Sequence, residues 1–161
     1  MNAADDGRPG IRPLPRMLDL DGSRVEFEVA PGGLQGALLY RPIGRYTNEM
    51  LVRVFDCLAD ATAGDTLYVI GDVSRAESHI GHAGYDAASQ LLVARGKTRL
   101  RIVICDPDPV RPYMVRLAQD VNHVRGMDSI ARYEADLPAA IAQLEDMMRG
   151  TDTSAGPAGA V

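Results

Sequence analysis

The chain of 161 residues lacks most features that mark secreted and membrane-spanning proteins. It has only two cysteines, Cys57 and Cys105, each inside an apolar stretch where cysteine usually serves as a small hydrophobic residue. A disulfide framework is therefore not expected, and a reducing compartment is the simpler interpretation. No apolar run approaches the roughly 20 residues that a membrane-spanning helix needs. The first ten residues lack the basic and apolar regions of a secretion signal, so we predict a cytoplasmic location.

Positive charge is also scarce in this sequence. Lysine and arginine together number 17 against 22 aspartates and glutamates, which gives a formal net charge of -5. Nucleic-acid binding needs a clustered positive surface, whereas the arginines here are scattered along the chain, so no nucleic-acid partner is expected. The hydrophobic fraction of 46% and the charged fraction of 24% are ordinary for a globular protein. The length fits one domain.

Common catalytic and nucleotide-binding motifs are absent as well. The glycine-rich segments match neither a Walker loop nor a dinucleotide fingerprint, and no Gly-x-Ser-x-Gly elbow is present. Lys97, the only lysine, precedes a predicted strand, whereas a response-regulator receiver needs a lysine at a strand end. We therefore expect no cofactor and predict that the protein is not an enzyme.

Composition divides the chain into three parts. Residues 1–16 mix Asp, Gly, Arg and Pro and are expected to be a flexible N-terminal segment. Residues 17–150 carry the periodic apolar patterns of a folded domain. Residues 151–161 are small and rich in helix and strand breakers, which predicts a disordered tail because they bury too little apolar surface.

The folded part begins with a predicted hairpin. Residues 25–29 alternate strictly between apolar and charged side chains, which indicates a half-buried strand. Pro31-Gly32-Gly33 supplies turn chemistry, and a second strand over 34–40 is expected to pair back and to end at Pro42 and Gly44.

Helices and strands then alternate. Thr47 is the predicted N-cap of a first helix, and Asp136 is that of a last helix over residues 137–148. Between them lie strands over 66–70, 100–105 and 130–133 and helices over 78–94 and 113–121. Strands separated by helices favour parallel pairing. We predict an α/β fold with a mostly parallel central sheet of about five strands, an N-terminal hairpin and about four helices.

This order of elements resembles the STAS domain of anti-sigma-factor antagonists and the broader STAS/SEC14, or SpoIIAA-like, group. The resemblance covers about residues 24 to 148. In STAS proteins a serine or threonine follows the third strand at the start of a helix and is the phosphorylation switch, often within Asp-Ser-Ser-Gly. Here Glu77-Ser78 takes the place of Asp-Ser, and Ser74 is a second candidate. The resemblance implies a SpoIIAA-like fold and a regulatory role.

Ser78 has a physical rationale as a modified residue. A phosphate at a helix start would meet free N–H groups and the positive end of the helix dipole. The plainer interpretation is that Ser78 only caps the helix, and that Ser74 only stabilises a turn. The residues around this helix start are the candidate partner-binding surface: Asp72, Arg75, Glu77, His79 and His82.

Two further kinds of site are compatible with the residues of the same region. His79 and His82 are three residues apart and would share a helical face, a spacing that metal sites use. No partner ligand stands at a recognised spacing, so solvent-exposed histidines are favoured and no metal is predicted. Asp72 and Asp106 each follow a central strand, and on neighbouring strands they would approach each other as an acid–base pair or cation site. Aspartates at strand ends are more often turn formers.

Three functional hypotheses follow from the sequence, the third being an enzyme that uses the strand-end aspartates Asp72 and Asp106. The first is a regulatory protein-interaction module that presents residues 74–84 to an anti-sigma factor or a switch kinase. The second is a SEC14-like binder of a small apolar or lipid ligand, which requires a cavity between the sheet and the helices. A homodimer through an exposed strand edge is compatible with each of these hypotheses.

Overall fold

The computed structural model describes residues 11–108 and 111–150. These residues form seven β-strands, one 3-10 turn and four α-helices. The strands are β1 (Met17–Leu20), β2 (Ser23–Val29), β3 (Ala37–Thr47), β4 (Thr66–Asp72), β5 (Ala76–His79), β6 (Arg99–Cys105) and β7 (Asp128–Glu134). The helices are α1 (Asn48–Asp60), α2 (His82–Ala94), α3 (Arg111–Val124) and α4 (Leu137–Met148), and the 3-10 turn is Pro31–Gly33.

The seven strands form one sheet in the order β1-β2-β3-β4-β6-β7, with β5 paired to the second half of β3. β1, β2 and β3 pair antiparallel. Every other pairing is parallel, as expected for strands joined through helices. The prediction of an α/β fold with a mostly parallel sheet, an N-terminal hairpin and four helices is confirmed.

The prediction that β3 ends at Pro42 and Gly44 is wrong, because the strand continues to Thr47. Residues 37–40 pair with β4 and residues 44–47 pair with β5. Pro42 lies in the interval between these two pairings, where parallel pairing makes no demand on its missing N–H group. Gly44 takes a left-handed φ of 82° and donates its N–H to the carbonyl of Arg75 at 3.1 Å.

The two strands that sequence analysis did not predict are β1 and β5. β5 has the polar sequence Ala-Glu-Ser-His and occupies the place where a helix start was predicted. From Tyr40 to Gly44, β3 advances four residues while the chain beside it advances five, from Gly71 to Ala76. The extra residue interrupts the strand beside β3 and separates β4 from β5. As a result, α2 begins only at His82.

Both predicted helix caps are confirmed. The Thr47 hydroxyl accepts a hydrogen bond from the backbone N–H of Met50 at 3.4 Å. The Asp136 carboxylate accepts one from the N–H of Ala139 at 2.9 Å. Each side chain satisfies a donor that the first helical turn leaves free.

The predictions for residues 1–10 and for the tail 151–161 lie outside the described residues. Within the predicted N-terminal segment, residues 11–16 lie against the domain. The N–H of Arg12 bonds to the carbonyl of Asp60 at 2.9 Å, and the carbonyl of Arg16 accepts from Phe27 at 2.9 Å. Leu14 packs against the core.

The sheet separates two hydrophobic clusters, because successive side chains of a strand point to opposite faces. We call the face covered by α1, α2 and α3 the three-helix face and the face covered by α4 the one-helix face. The three-helix cluster centres on Val54, Leu58, Leu67, Val69 and Leu92. The one-helix cluster comprises Ala37, Leu39, Ile70, Val103, Cys105, Ala140, Leu144 and Met147. Within the described ranges, the α-helices are too short or too polar to cross a bilayer.

Candidate functional site: an apolar cavity on the three-helix face

A cavity of about 70 Å³ lies between the sheet and helices α1, α2 and α3, and it is not fully enclosed. Side chains from three strands and three helices converge on it. The lining consists of Tyr40, Tyr46, Leu51, Phe55, Val73, Ser78, Ile80, Tyr85, Ala88, Ser89, Leu92, Leu100, Ile102, Ile104, Met114, Val115, Ala118, Asn122 and Ala131. The wall is mainly hydrophobic and carries a few polar groups, which is the usual composition of a small-molecule site.

Two buried hydroxyl groups in this wall lack hydrogen-bond partners. The Tyr46 hydroxyl and the Ser89 hydroxyl make no hydrogen bond to any residue that the structure describes. Tyr46 is only 2% exposed and Ser89 only 1%. Leaving a buried hydroxyl without a partner costs about 1–3 kcal/mol, so natural proteins rarely do so without a reason.

The surroundings of Tyr46 keep its phenol protonated. Burial raises the pKa of Tyr46 well above its ordinary value, and the nearby phenols of Tyr40 and Tyr85 raise it further. The Tyr40 ring centroid lies 6.5 Å from that of Tyr46 and 5.9 Å from that of Phe55. Tyr40 acts on the Tyr46 phenol through its charge and through a weak hydrogen-bonding contact, but the Tyr46 hydroxyl meets full hydrogen-bond geometry with none of the described residues. Tyr46 therefore presents a hydrogen-bond donor to the cavity.

Gly71 allows Tyr40 to lie against the sheet. A Cβ atom at Gly71 would come within 2.5 Å of the Tyr40 hydroxyl and 2.9 Å of Ile104 Cδ1. Only a residue without a side chain fits between these two lining residues. The glycine in the predicted strand-end segment thus shapes the cavity floor.

Gly84 and Asn48 set how closely α1 and α2 approach each other. Asn48 Oδ1 accepts a hydrogen bond from the Gly81 N–H at 3.0 Å, which caps α2 from the neighbouring helix. A Cβ atom at Gly84 would overlap this same Asn48 side chain. The close contact fixes the position of α2, the helix that carries Tyr85, Ala88, Ser89 and Leu92 into the cavity wall.

The partly exposed lining residues mark one side of the cavity. Ser78 of β5, Tyr85 of α2, Ile104 of β6 and Met114 of α3 are half-buried. Residues deeper in the wall, such as Leu92, are almost fully buried. The cavity therefore reaches the surface near the approach of β5, α2 and α3.

The predicted place of Ser78 at a helix start is wrong. Ser78 lies within β5, paired in register with Tyr46 of β3, and is half-buried at the cavity rim. A phosphate on Ser78 would not meet the free N–H groups of a helix start. Modification of Ser78 stays a prediction, but its helix-dipole rationale no longer holds.

Asp72 and Ser74 form a small polar cluster with Arg41 in the middle of β3, at the end of β4. The Asp72 carboxylate accepts hydrogen bonds from Arg41 Nε at 2.9 Å and from the Ser74 hydroxyl at 2.6 Å. Burial, the largest influence, would raise the pKa of Asp72, but the bonds from Ser74 and Arg41 outweigh it and lower that pKa. Asp72 is therefore ionised and engaged in an ion pair. Of the two candidate serines, the exposed one is Ser74.

The predicted neighbourhood of the two strand ends is confirmed, since β4 pairs with β6 in parallel. The Asp72 carboxylate is held by Arg41 and Ser74, whereas the Asp106 carboxylate accepts from the N–H of Asp108 at 3.0 Å. Asp106 thus forms the turn that its position after a strand favours. Burial raises the pKa of the nearby Cys105 thiol to about 11, with Asp72 as the next largest cause, so this thiol stays protonated.

The remaining predicted surface residues lie around β5. Arg75 is exposed, and Glu77 and His79 are exposed residues of β5 whose side chains approach to 3.4 Å. His82 is the exposed first residue of α2. The two histidines therefore do not share a helical face, which corrects the predicted geometry. Across the described ranges, His, Cys, Asp and Glu side chains form no group of three that would hold a metal ion.

Sequence reasoning did not single out Tyr46 and Ser89. Ser89 lies one turn from Tyr85 and beside Leu92 on the apolar face of α2, so helical spacing marks it as a buried polar residue. Tyr46 directly precedes the Thr47 cap, and only its pairing with β5 shows that it points into the core. The signal for Ser89 was present in the sequence, whereas that for Tyr46 was not.

Comparison with known proteins bears on the fold. The chain is similar to the crystal structure of an uncharacterized protein from the DUF3478 family, with a SpoIIAA-like fold, from Shewanella loihica PV-4. The TM-score is 0.50 and the sequence identity 17%, and the match covers 79% of this chain and 97% of the other. No family model and no curated protein matches the sequence. The chain has a SpoIIAA-like fold, as its order of elements predicted.

Proposed function

We propose that the protein is a binding module for a small, mainly apolar ligand that occupies the cavity on the three-helix face. The observation that carries this proposal is the pair of unpartnered hydroxyls, Tyr46 and Ser89, buried in an otherwise apolar wall. A core under selection for stability alone would satisfy or replace such groups. A ligand whose polar part reaches these hydroxyls would satisfy them while its apolar body fills the remaining space.

The size of the cavity limits the ligand. An apolar cavity of about 150 Å³ holds benzene, so about 70 Å³ encloses a few non-hydrogen atoms, and the open side of the cavity leaves room for the rest of a compact ligand. This favours a compact molecule over a whole lipid acyl chain. Between the two ligand types of the predicted SEC14-like function, the geometry supports the small apolar one.

A methyl NMR titration tests this proposal. Cyclopentane, which has five carbon atoms, is the probe. We expect it to shift the methyl resonances of Leu92, Leu100 and Ile102 in the cavity wall and to leave Leu144 and Val103 on the one-helix face unchanged. Equal shifts on both faces, or no shift at saturation, would contradict the proposal. Native mass spectrometry of protein from its own host would identify any natural ligand.

A second candidate function is the regulatory module switched at Ser74. The supporting observation is that Ser74 is exposed and that its hydroxyl donates to Asp72, the carboxylate that holds Arg41. A phosphate on Ser74 would place about two negative charges beside Asp72 and compete with it for Arg41. The expected consequence is a rearranged surface that an anti-sigma factor or a switch kinase recognises.

Mass spectrometry of protein isolated from its own host, together with its companions, tests this second function. Phosphate on Ser74 and a kinase-like companion would support it, and a Ser74→Ala variant should lose both the phosphate and the companion's response. A solitary protein, unmodified at Ser74 and Ser78 under every growth condition sampled, would rule it out.

A further inference from the structure

The side chains that line the cavity limit the charge that a ligand can carry. None of the described residues that line the cavity carries a charged side chain. The polar atoms it offers belong to tyrosines, serines and one asparagine. The charged cluster of Arg41 and Asp72 lies at the end of β4, and its members are bonded to each other. A ligand in this cavity would therefore find no counter-ion among the described residues of the wall.

The two unpartnered hydroxyls determine which polar group fits. Tyr46 stays protonated and offers an O–H donor, and the Ser89 hydroxyl also donates. A carbonyl or amide oxygen has two lone pairs and accepts two hydrogen bonds. An oxygen placed within reach of both hydroxyls would satisfy both, whereas a hydrocarbon satisfies neither.

We infer that the ligand is uncharged and carries a carbonyl or amide oxygen that accepts hydrogen bonds from Tyr46 and Ser89, an inference that rests on the proposed function. Carboxylates and amines of the same size are rejected because their charge would be buried without a counter-ion among the described wall residues. The module thus selects by charge as well as by size. Small amides, ketones and aldehydes belong to the accepted class, and short-chain acids do not.

A matched pair of probes tests this inference. Isovaleramide and isovalerate have nearly the same shape and seven non-hydrogen atoms each, but only the acid is charged at pH 7. In the methyl NMR titration, we expect isovaleramide to bind in the cavity and isovalerate to bind at least about 10-fold more weakly because its charge is buried unpaired. Equal affinity for the two compounds would overturn the inference.

Variants that lack one of the two hydroxyls test whether Tyr46 and Ser89 recognise the ligand. Tyr46→Phe and Ser89→Ala each remove one donor, so each should weaken isovaleramide binding by about 3- to 10-fold, the usual effect of one neutral hydrogen bond. Cyclopentane binding should change less than about twofold, because it uses neither hydroxyl. Tyr113→Phe, which removes an exposed tyrosine hydroxyl outside the wall, is the control.

The outcomes separate this inference from the proposed function. If cyclopentane binds but both variants keep the natural affinity for isovaleramide, the two hydroxyls do not recognise the ligand and the inference is wrong. If cyclopentane does not bind, the cavity is not a ligand site and both proposals are wrong. An ordered water on Tyr46 and Ser89 that isovaleramide does not displace would also overturn the inference.

Discussion

The two faces of the sheet are packed in different ways. On the one-helix face, Ile70, Val103, Ala140 and Leu144 are fully buried, and none of the residues of this cluster lines the cavity. The three-helix face instead leaves a cavity among large aromatic and aliphatic side chains.

The two faces also differ in whether their polar side chains have hydrogen-bond partners. Strand residues on the side of the one-helix cluster have partners: Arg41 bonds to Asp72, and Arg101 donates to the carbonyl of Asp128 at 2.9 Å and to its carboxylate at 3.0 Å. On the three-helix face, Tyr46 and Ser89 have none among the described residues. One face is thus built for stability, and the other carries the features of a binding site.

The largest expected effect is the difference in stability between two alanine-to-leucine variants, one on each face of the sheet. Ala140→Leu should destabilise the protein by about 3 kcal/mol, because the one-helix face has no room for three more carbon atoms. Ala88→Leu should stay within about 1 kcal/mol of the natural protein, because the added atoms enter the cavity. Urea unfolding of the two variants measures the difference. Equal destabilisation would show that the faces are packed alike.

The ion pair of Asp72 gives the next largest effect. Removing its charge in Asp72→Asn should cost about 2 kcal/mol at pH 7, the usual value of a hydrogen bond to a charged group. Because the pKa of Asp72 is lowered in the folded state, its contribution is present above the ordinary value of 3.8 and is lost as the pH falls through that value toward the folded pKa.

The pH dependence of unfolding checks this sign. The difference between the natural protein and Asp72→Asn should shrink as the pH falls below about 4. Asp19→Asn, which changes an exposed aspartate, should show no comparable difference. A gap that persisted unchanged to pH 3 would mean that the Asp72 carboxylate does not contribute through its charge.

A smaller effect concerns the approach of α2 to α1. Gly84→Ala should destabilise the protein by about 1–2 kcal/mol, because the added methyl group displaces Asn48 from its bond to Gly81. In the Asn48→Ala background the same substitution should cost less, since the obstructing side chain is gone. A double-mutant cycle measured by urea unfolding gives the coupling between the two sites. Additive effects would contradict the proposed contact.

The smallest expected effects on stability are those of replacing two buried serines with alanine. Ser129 accepts a hydrogen bond from Asn122 Nδ2 at 3.0 Å, so Ser129→Ala should cost about 1 kcal/mol. Ser89→Ala should be neutral or slightly stabilising, because its hydroxyl has no partner to lose among the described residues. Thermal unfolding of both variants is sufficient. A clear loss in Ser89→Ala would indicate that the hydroxyl is satisfied in the protein.

The fold was largely predictable from the sequence, and the site was not. Buried strands such as β6 and the capped helices α1 and α4 have strong local signals, so their order predicted the sheet. β5 has none: its four residues are polar, and it is a strand only because β3 offers it an edge. That error placed the start of α2 at Ser78 instead of His82.

The cavity was beyond sequence analysis for a different reason. Its wall joins Tyr46 at the end of β3, Ser89 in the middle of α2 and Met114 on α3. An unfilled volume depends on how such distant side chains pack together, and no pattern along the chain records it. The glycines that allow the packing, Gly71 and Gly84, are visible in the sequence, but what they contact is not.

The most direct test of the account is a crystal structure of the full chain under xenon pressure. Xenon occupies accessible apolar cavities, as benzene does. We predict one xenon site among Leu92, Leu100 and Ile102 on the three-helix face and none in the cluster around Leu144. A three-helix face that takes up no xenon, or a cavity filled by water bonded to Tyr46 and Ser89, would contradict the claim that this face holds a small apolar ligand.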